Sequence, residues 1–380
     1  VSITGQGMIN GGGLVRNDDV LDHMVGFDHF DPPVTNAAPP VRLGNKAVAL
    51  KLCRNVLLRD ITIYHGGHFA ILVTGCDNVT VDNVTMDTNR DGIDIDCCRD
   101  TMVSNCRINS PTDDGLCPKS TFALGERRIT ENLTIVNCQV SGYAEGTLLD
   151  GTFKRTKNGV GRVKFGTESS GGFRNVTVAN CTFRSCRGLA LEEVDGGVLE
   201  NITINNLTMM DVADYAIYLT TGKRNRTPGV TAPGRMRNIL ISNVIADGVA
   251  KNSGIQIMGL PEQPLEGIRL ENIRLNCRGG GTKEDAAREP QELGKGYPEP
   301  DRLGVMPAYG IFARHVKDLE LANIQTHFEA NEARPAAVFS DIDGLELDNF
   351  KPQVVAGVSP VTYANDVRGV TIRNSPAIQN

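Results

Sequence analysis

Residues 89–119, NRDGIDIDCCRDTMVSNCRINSPTDDGLCPK, hold Asp91, Asp113 and Asp114 among six aspartates. Carboxylates brought close together cannot all ionise freely, because like charge raises one pKa and leaves a proton donor beside a base. A donor and a base on either side of one bond are the equipment for cleaving a glycosidic linkage. A lone Asp-Gly such as Asp91-Gly92 is ordinary turn chemistry. The chemical reading therefore requires the three acids to share one patch of surface, which makes the elements that carry them the first question.

Those elements are a repeat. A basic or acidic residue, then Asn, Asp or Gly, then alternating apolar residues and an Asn recur in eleven copies. They begin at Arg54, Asp77, Arg99, Glu131, Arg174, Glu200, Arg237, Glu266, Lys317, Asp343 and Arg368. The third and fifth positions are apolar except at Thr101, a period of two that predicts a short strand in each copy. The seventh position is Asn in ten copies and Asp60 in the other, so an amide returns at one place per turn. There it can bond its neighbours above and below and satisfy buried polar groups at a bend. A fixed pattern with variable insertions is a solenoid whose units bury their apolar faces only by stacking. The expected fold is all-β, a single-stranded parallel β-helix of about eleven or more turns, a rod on the order of 50 Å long.

Counting fourteen residues from successive repeat starts gives His68, Asp91 and Asp113. On a common path these stack at roughly 4.8 Å per turn, with Asp114 beside them. His68 then lies one turn below the acids, either as a sugar contact or as an ordinary turn histidine.

The blocks around these residues resemble the family 28 glycoside hydrolases, the polygalacturonase-like enzymes. Asn89, Arg90, Asp91 and Gly92 fit that family's Asn-Thr-Asp-Gly with Arg in place of Thr, and Asp113, Asp114, Lys119 and Ser120 fit its Asp-Asp and Lys-Ser. In GVGRVKFG, residues 159–166, Val160 stands where the family has His, and Ala190, Leu191 and Glu192 replace its Arg-Ile-Lys. The resemblance spans residues 5–243. It implies a right-handed parallel β-helix in which Asp113 is the general acid, Asp91 and Asp114 activate water, and the anomeric carbon is inverted. It also implies that Asn89, Lys119 and Glu168 belong to the substrate site.

Family members that cleave galacturonan are expected to pair a cationic Arg and Lys with the substrate carboxylate. Here Glu192 would repel a uronate, so a rhamnogalacturonan or another branched plant glycan is expected in preference to plain polygalacturonate. Arg162 and Lys164 could restore a cationic subsite, and Glu192 could bond sugar hydroxyls. With no Trp in the chain, stacking on a sugar falls to Tyr215 or Tyr218.

The remaining features narrow the classes. Net charge is −6 with basic residues scattered, which gives no electrostatic footprint for nucleic acid. No apolar run approaches the roughly 20 residues of a membrane span. The ten cysteines recur at equivalent repeat positions, as Cys53, Cys76 and Cys98 do, and read as interior stacks of free thiols. No Cys-x-x-Cys occurs, and neither a metal nor another cofactor is expected. The expected partner is a polysaccharide or oligosaccharide, and the sequence leaves the oligomeric state open. The opening VSITGQGMINGGG reads as strand and turn rather than a leader, so secretion or periplasmic export is expected only from the nature of the substrate.

The organisation expected is one domain, with residues 1–45 as first turn and cap and 46–380 as coils carrying insertions at 142–159, 220–236 and 278–304. Insertions are where solenoids place binding surface. The first is expected to narrow the cleft and favour cutting near chain ends, and the second to offer Lys223, Arg224 and Arg226 as a basic wall. Two other functions remain open, a calcium-dependent polysaccharide lyase, which needs several oxygen ligands, and a carbohydrate-binding solenoid without turnover.

Overall fold

The computed structural model describes residues 1–13, 45–157, 159–252 and 254–378. Most of the expected N-terminal cap, including the Pro-rich residues 30–40, lies outside them.

All eleven repeat starts pair as neighbours in one parallel column, from Arg54 against Asp77 through to Asp343 against Arg368. The fold is a right-handed parallel β-helix. The alternation explains the column: Val79, Val81, Ile202 and Ile204 point inward and are at most 1% exposed. Thr101, the one polar residue at these positions, is also buried, and its hydroxyl has no hydrogen-bond partner among the described residues. Cys106, Cys138 and Cys181 stack in the same interior, and all ten cysteines are free thiols, nine of them buried.

The seventh-position amides do bond from turn to turn, as in Asn206 to Asn180 at 3.0 Å and Asn349 to Asn323 at 2.7 Å. They do so on the exposed outside of the corner, so satisfying buried groups is not their purpose. Their backbone is the reason for them. Asp60 and every one of the ten asparagines have φ between 50° and 63°, and among residues with a side chain Asn and Asp tolerate this left-handed region best. The second repeat position, always Asn, Asp or Gly, is left-handed too, as at Asn175 (φ 57°) and Gly267 (φ 62°). The sequence pattern is thus a record of two left-handed corners per turn. Asn206→Ala is expected to cost about 1–2 kcal/mol, the strain of a left-handed residue with a β-carbon, and Asn206→Gly less. A lower urea midpoint for the Gly variant than for the Ala variant would contradict this.

The acids sit on another column, formed by Lys46–Lys51, Phe69–Thr74, Asp91–Asp96 and Leu116–Lys119. It continues through Lys164–Phe165, Leu189–Glu193 and Ile217–Thr221 by way of a bridge from Leu116 to Val163. Here the equal-offset expectation is off by one. Phe69, not His68, pairs with Asp91, and Ile93 pairs with Leu116, which sets Asp114 rather than Asp113 beside Asp91. The cause is corner length. Tyr64, Asp87 and Asn109 are in register, but the step from Asp87 to Asp91 is one residue shorter than the steps from Tyr64 to Phe69 and from Asn109 to Asp114. Gly92 is required by crowding: a β-carbon there would lie 2.3 Å from the Gly115 carbonyl oxygen of the next coil.

Candidate active site

Despite the slip, the three aspartates converge. One carboxylate oxygen from each lies within 4.8 Å of the others. They line a cavity of about 340 Å³ together with His68, Phe69, Lys119, Lys164, Glu168 and, from the distant insertion, Tyr297.

Each acid has a different environment. Asp113 is gripped by Arg90, whose Nε donates to Oδ2 at 2.9 Å and whose Nη2 donates to the same oxygen. Its other oxygen accepts the Asp114 backbone N–H at 3.1 Å. Burial alone would raise the Asp113 pKa, but Arg90, then Lys119 and Lys164, outweigh it and hold the carboxyl below the usual range, hence ionised. Asp114 accepts from Arg162 Nε at 2.7 Å on one oxygen and has Lys164 Nζ at 3.5 Å from the other. Asp91 is 3% exposed, and its nearest cation is Lys119 at 3.5 Å. Burial, with Asp113 and Asp94 as like-charged neighbours, pushes its pKa well above the carboxylate range, so it keeps its proton. The two environments therefore push the carboxyls apart, Asp91 upward and Asp113 downward.

Four further residues contribute to the site. Asp94 and Asp96 alternate with the core residues Ile93 and Ile95, so both face the cavity. Burial pushes Asp94 up to about 7, and neither of its oxygens has a hydrogen-bond partner among the described residues, with Lys119 Nζ 3.6 Å away. The period-two run DGIDID carried that signal. Arg90 was legible only as a departure from a motif. Glu299 had no local signal.

Several expected site residues are placed otherwise. Asn89 accepts from the Thr112 hydroxyl at its carbonyl, 2.8 Å, and its side-chain oxygen, 3.1 Å, and so ties two corners together outside the cavity wall. Arg162 is 1% exposed, bonded to Asp114, Tyr215 and Glu299. Lys164 reaches the cavity but lies 3.1 Å from Glu299 and 3.7 Å from Glu192. Glu192 is fully buried, and burial pushes it up to about 7; it accepts from Thr167 at 3.2 Å instead of facing a sugar. Tyr218 is fully buried and donates to the Pro298 carbonyl at 2.6 Å, leaving no face for stacking, because residues 278–304 fold over it. Tyr215 is covered in the same way. Glu168 does border the cavity, 3.7 Å from Lys119. Its desolvation is outweighed by Lys119 and Arg224, which hold it at about 2.

The insertions exchange roles. None of the described residues among 142–159 lines the cavity; the N–H groups of Gly146, Leu148 and Leu149 wrap the Asp87 carboxylate at 2.9–3.1 Å. Lys223, Arg224 and Arg226 are matched to Glu262, Asp195 and Glu168 respectively. The wall is made by Tyr297, whose hydroxyl meets Thr167 at 3.1 Å.

Residues 36–160 match the family model described as a right handed beta helix region. An exopolygalacturonase of Platanus acerifolia is 25% identical over 244 residues, 60% of this chain and 57% of that protein. The chain resembles exopolygalacturonases. The crystal structure of a hyperthermoactive exopolygalacturonase from Thermotoga maritima gives a TM-score of 0.53 at 17% identity, covering 73% of this chain and 54% of that one. The family 28 exopolygalacturonase of Yersinia enterocolitica gives a TM-score of 0.49 at 15% identity, covering 85% of this chain and 45% of that one. The chain thus spans about half the length of the relatives it matches. The Thermotoga maritima likeness shows the shared β-helix fold, and the sequence likeness is to an exopolygalacturonase.

Proposed function

We propose that the chain is an inverting glycoside hydrolase acting on a pectic or related plant polysaccharide. The observation that carries this is the convergence of the three aspartate carboxylates at the cavity, where burial raises the Asp91 pKa and Arg90 lowers that of Asp113. Asp91 would protonate the glycosidic oxygen as the bond to the anomeric carbon breaks. Asp113 and Asp114 would orient a water and take its proton as its oxygen attacks that carbon. The roles of Asp91 and Asp113 are thus exchanged relative to those the family resemblance implies. His68, Lys119 and Glu168 would contact the sugar.

The acids are closer together than the roughly 6.5–9.5 Å usual for inverting pairs, and spacing alone would suggest retention. Retention needs a carboxylate free to attack carbon. Both oxygens of Asp113 are hydrogen-bonded and both of Asp114 face cations, which suits them to holding a water instead. Proton NMR of the first-formed product is expected to show the inverted anomer, and the retained anomer would refute this assignment. The same pairing argues against the calcium-dependent lyase, since Asp113 already faces Arg90 and Asp114 faces Arg162 and Lys164.

For the substrate, the pairing of the cations supports one reading. Lys119, Lys164 and Arg90, which line the cavity, each lie within 4 Å of a carboxylate, so among the described residues a uronate finds no unmatched cation there. This supports an uncharged sugar at the cleaved position, as in a rhamnogalacturonan-type or branched glycan, rather than plain polygalacturonate. The Tyr297 wall supports action near chain ends. Reducing sugar is therefore expected to rise well before viscosity falls, and an early viscosity collapse would indicate internal cutting. A polymeric substrate would place the enzyme in the periplasm or outside the cell.

A further inference from the structure

Three buried cations converge on one carboxylate that comes from far along the chain. Glu299 Oε1 accepts from Lys164 Nζ at 3.1 Å and from Arg162 Nη2. Its Oε2 accepts from Arg162 Nη1 at 3.1 Å and from Arg187 Nη1 at 2.8 Å. Arg162 and Lys164 stand on the coil above the catalytic acids and Arg187 on the next, while Glu299 belongs to the longest insertion. Glu299 is 3% exposed, and its cationic neighbours, led by Arg162, overcome burial and hold it well below the carboxylate range. Of the other carboxyls around these cations, Glu192 and Asp214 are pushed up by burial, Asp114 meets Arg162 and Lys164 and Asp301 meets Arg187, so among the described residues Glu299 alone pairs with all three.

Forked guanidinium groups and an ammonium around one carboxylate form a built anion site. Its position gives it a function. Arg162 and Lys164 also hold Asp114, and Lys164 lines the cavity, so the site adjoins the acids. Its filling is anchored on both sides, by the Pro298 carbonyl on Tyr218 and by Asp301 3.3 Å from Arg187.

We propose that Glu299 is a built-in carboxylate filling an anion subsite next to the catalytic acids, and that it sets the cleft for uncharged sugars by excluding a substrate carboxylate. This rests on the glycoside hydrolase reading for its consequence but not for its geometry. Without the Glu299 side chain the hole is the size of a carboxylate and lined by Arg162, Lys164 and Arg187, a subsite for a small carboxylate or a uronic acid.

Thermal unfolding of the wild type, E299A and the isosteric E299Q, in sodium acetate against sodium chloride at equal ionic strength, tests the site directly. E299A is expected to melt lower than wild type and to recover saturably with acetate but not with chloride. Wild type is expected not to respond, and E299Q, which still fills the hole, to respond least of the two variants. Equal acetate effects on wild type and E299A would overturn the proposal. In a second arm, the ratio of kcat/KM on polygalacturonate to that on a neutral glycan is expected to rise at least about 10-fold in E299A, the value of one recovered charge-assisted contact. An unchanged ratio would also overturn it. If no glycan is turned over by any of the three proteins, the hydrolase reading fails while the acetate arm still decides the subsite.

Discussion

Asp91→Asn is expected to lower kcat by about 10²–10⁴-fold, the range a positioned general acid contributes, without harming the fold. The amide keeps the shape and the oxygen that accepts from the Asp114 N–H at 3.3 Å but carries no acidic proton. The stability arm has a definite sign. Burial raises the folded-state pKa of Asp91 above its unfolded value. Over that interval the native state binds more protons than the unfolded state, so wild-type stability falls as pH rises past about 4. The Asn variant lacks this loss and should gain on wild type in melting temperature as pH increases. Melting curves and kcat from pH 4 to 9 check both arms. A variant retaining more than about a tenth of wild-type kcat would remove Asp91 from the role of proton donor.

Arg90→Thr, which restores the residue usual in the resembled motif, is expected to act through Asp113. The pair is buried, with side chains 7% and 14% exposed, and removing one partner of such a pair costs about 3–5 kcal/mol. Arg90 lowers the folded-state pKa of Asp113, so its contribution is complete above the unfolded pKa near 4 and is lost as pH falls through the folded value. The destabilisation should therefore be largest at neutral pH and shrink in acid. Catalytically, Asp113 would hold a proton to higher pH, moving the acid limb of kcat/KM upward. A purely structural Arg90 would lower stability and leave that limb where it was, and such a result would end its assignment as a positioning residue.

The repeat was fully legible because its cause is local. Asn or Asp at the corners reflects left-handed backbone at single residues, and the apolar alternation reflects which side of one strand is inside. Register between neighbouring repeat starts followed without error. Counting fourteen residues onward failed by one because corner length is set where Asp87 leads into Asp91, and no residue there announces a shorter bend. The trio survived the slip because Asp113 and Asp114 are adjacent, so one of the two had to align.

What remained hidden was non-local. Period two can assign Tyr218 and Glu192 to the outer side of a strand, but it cannot show that residues 278–304 return to bury both. For the same reason Arg162 and Lys164 read as available cations although Glu299, more than 130 residues later, neutralises them. Nearness in sequence points to 142–159 as the cleft wall, whereas Tyr297 reaches the cavity by folding back.

The central claim is that these aspartates hydrolyse a glycosidic bond by proton donation from Asp91 to the leaving oxygen and delivery of water. The most direct test incubates wild type and Asp91→Asn with rhamnogalacturonan, branched neutral glycans and polygalacturonate in heavy-oxygen water, with products analysed by mass. The account predicts saturated products from wild type carrying one heavy oxygen at the new reducing end, most abundant from a glycan other than polygalacturonate, and almost none from the variant. Unsaturated products, or glycan binding with no product from any substrate, would contradict it.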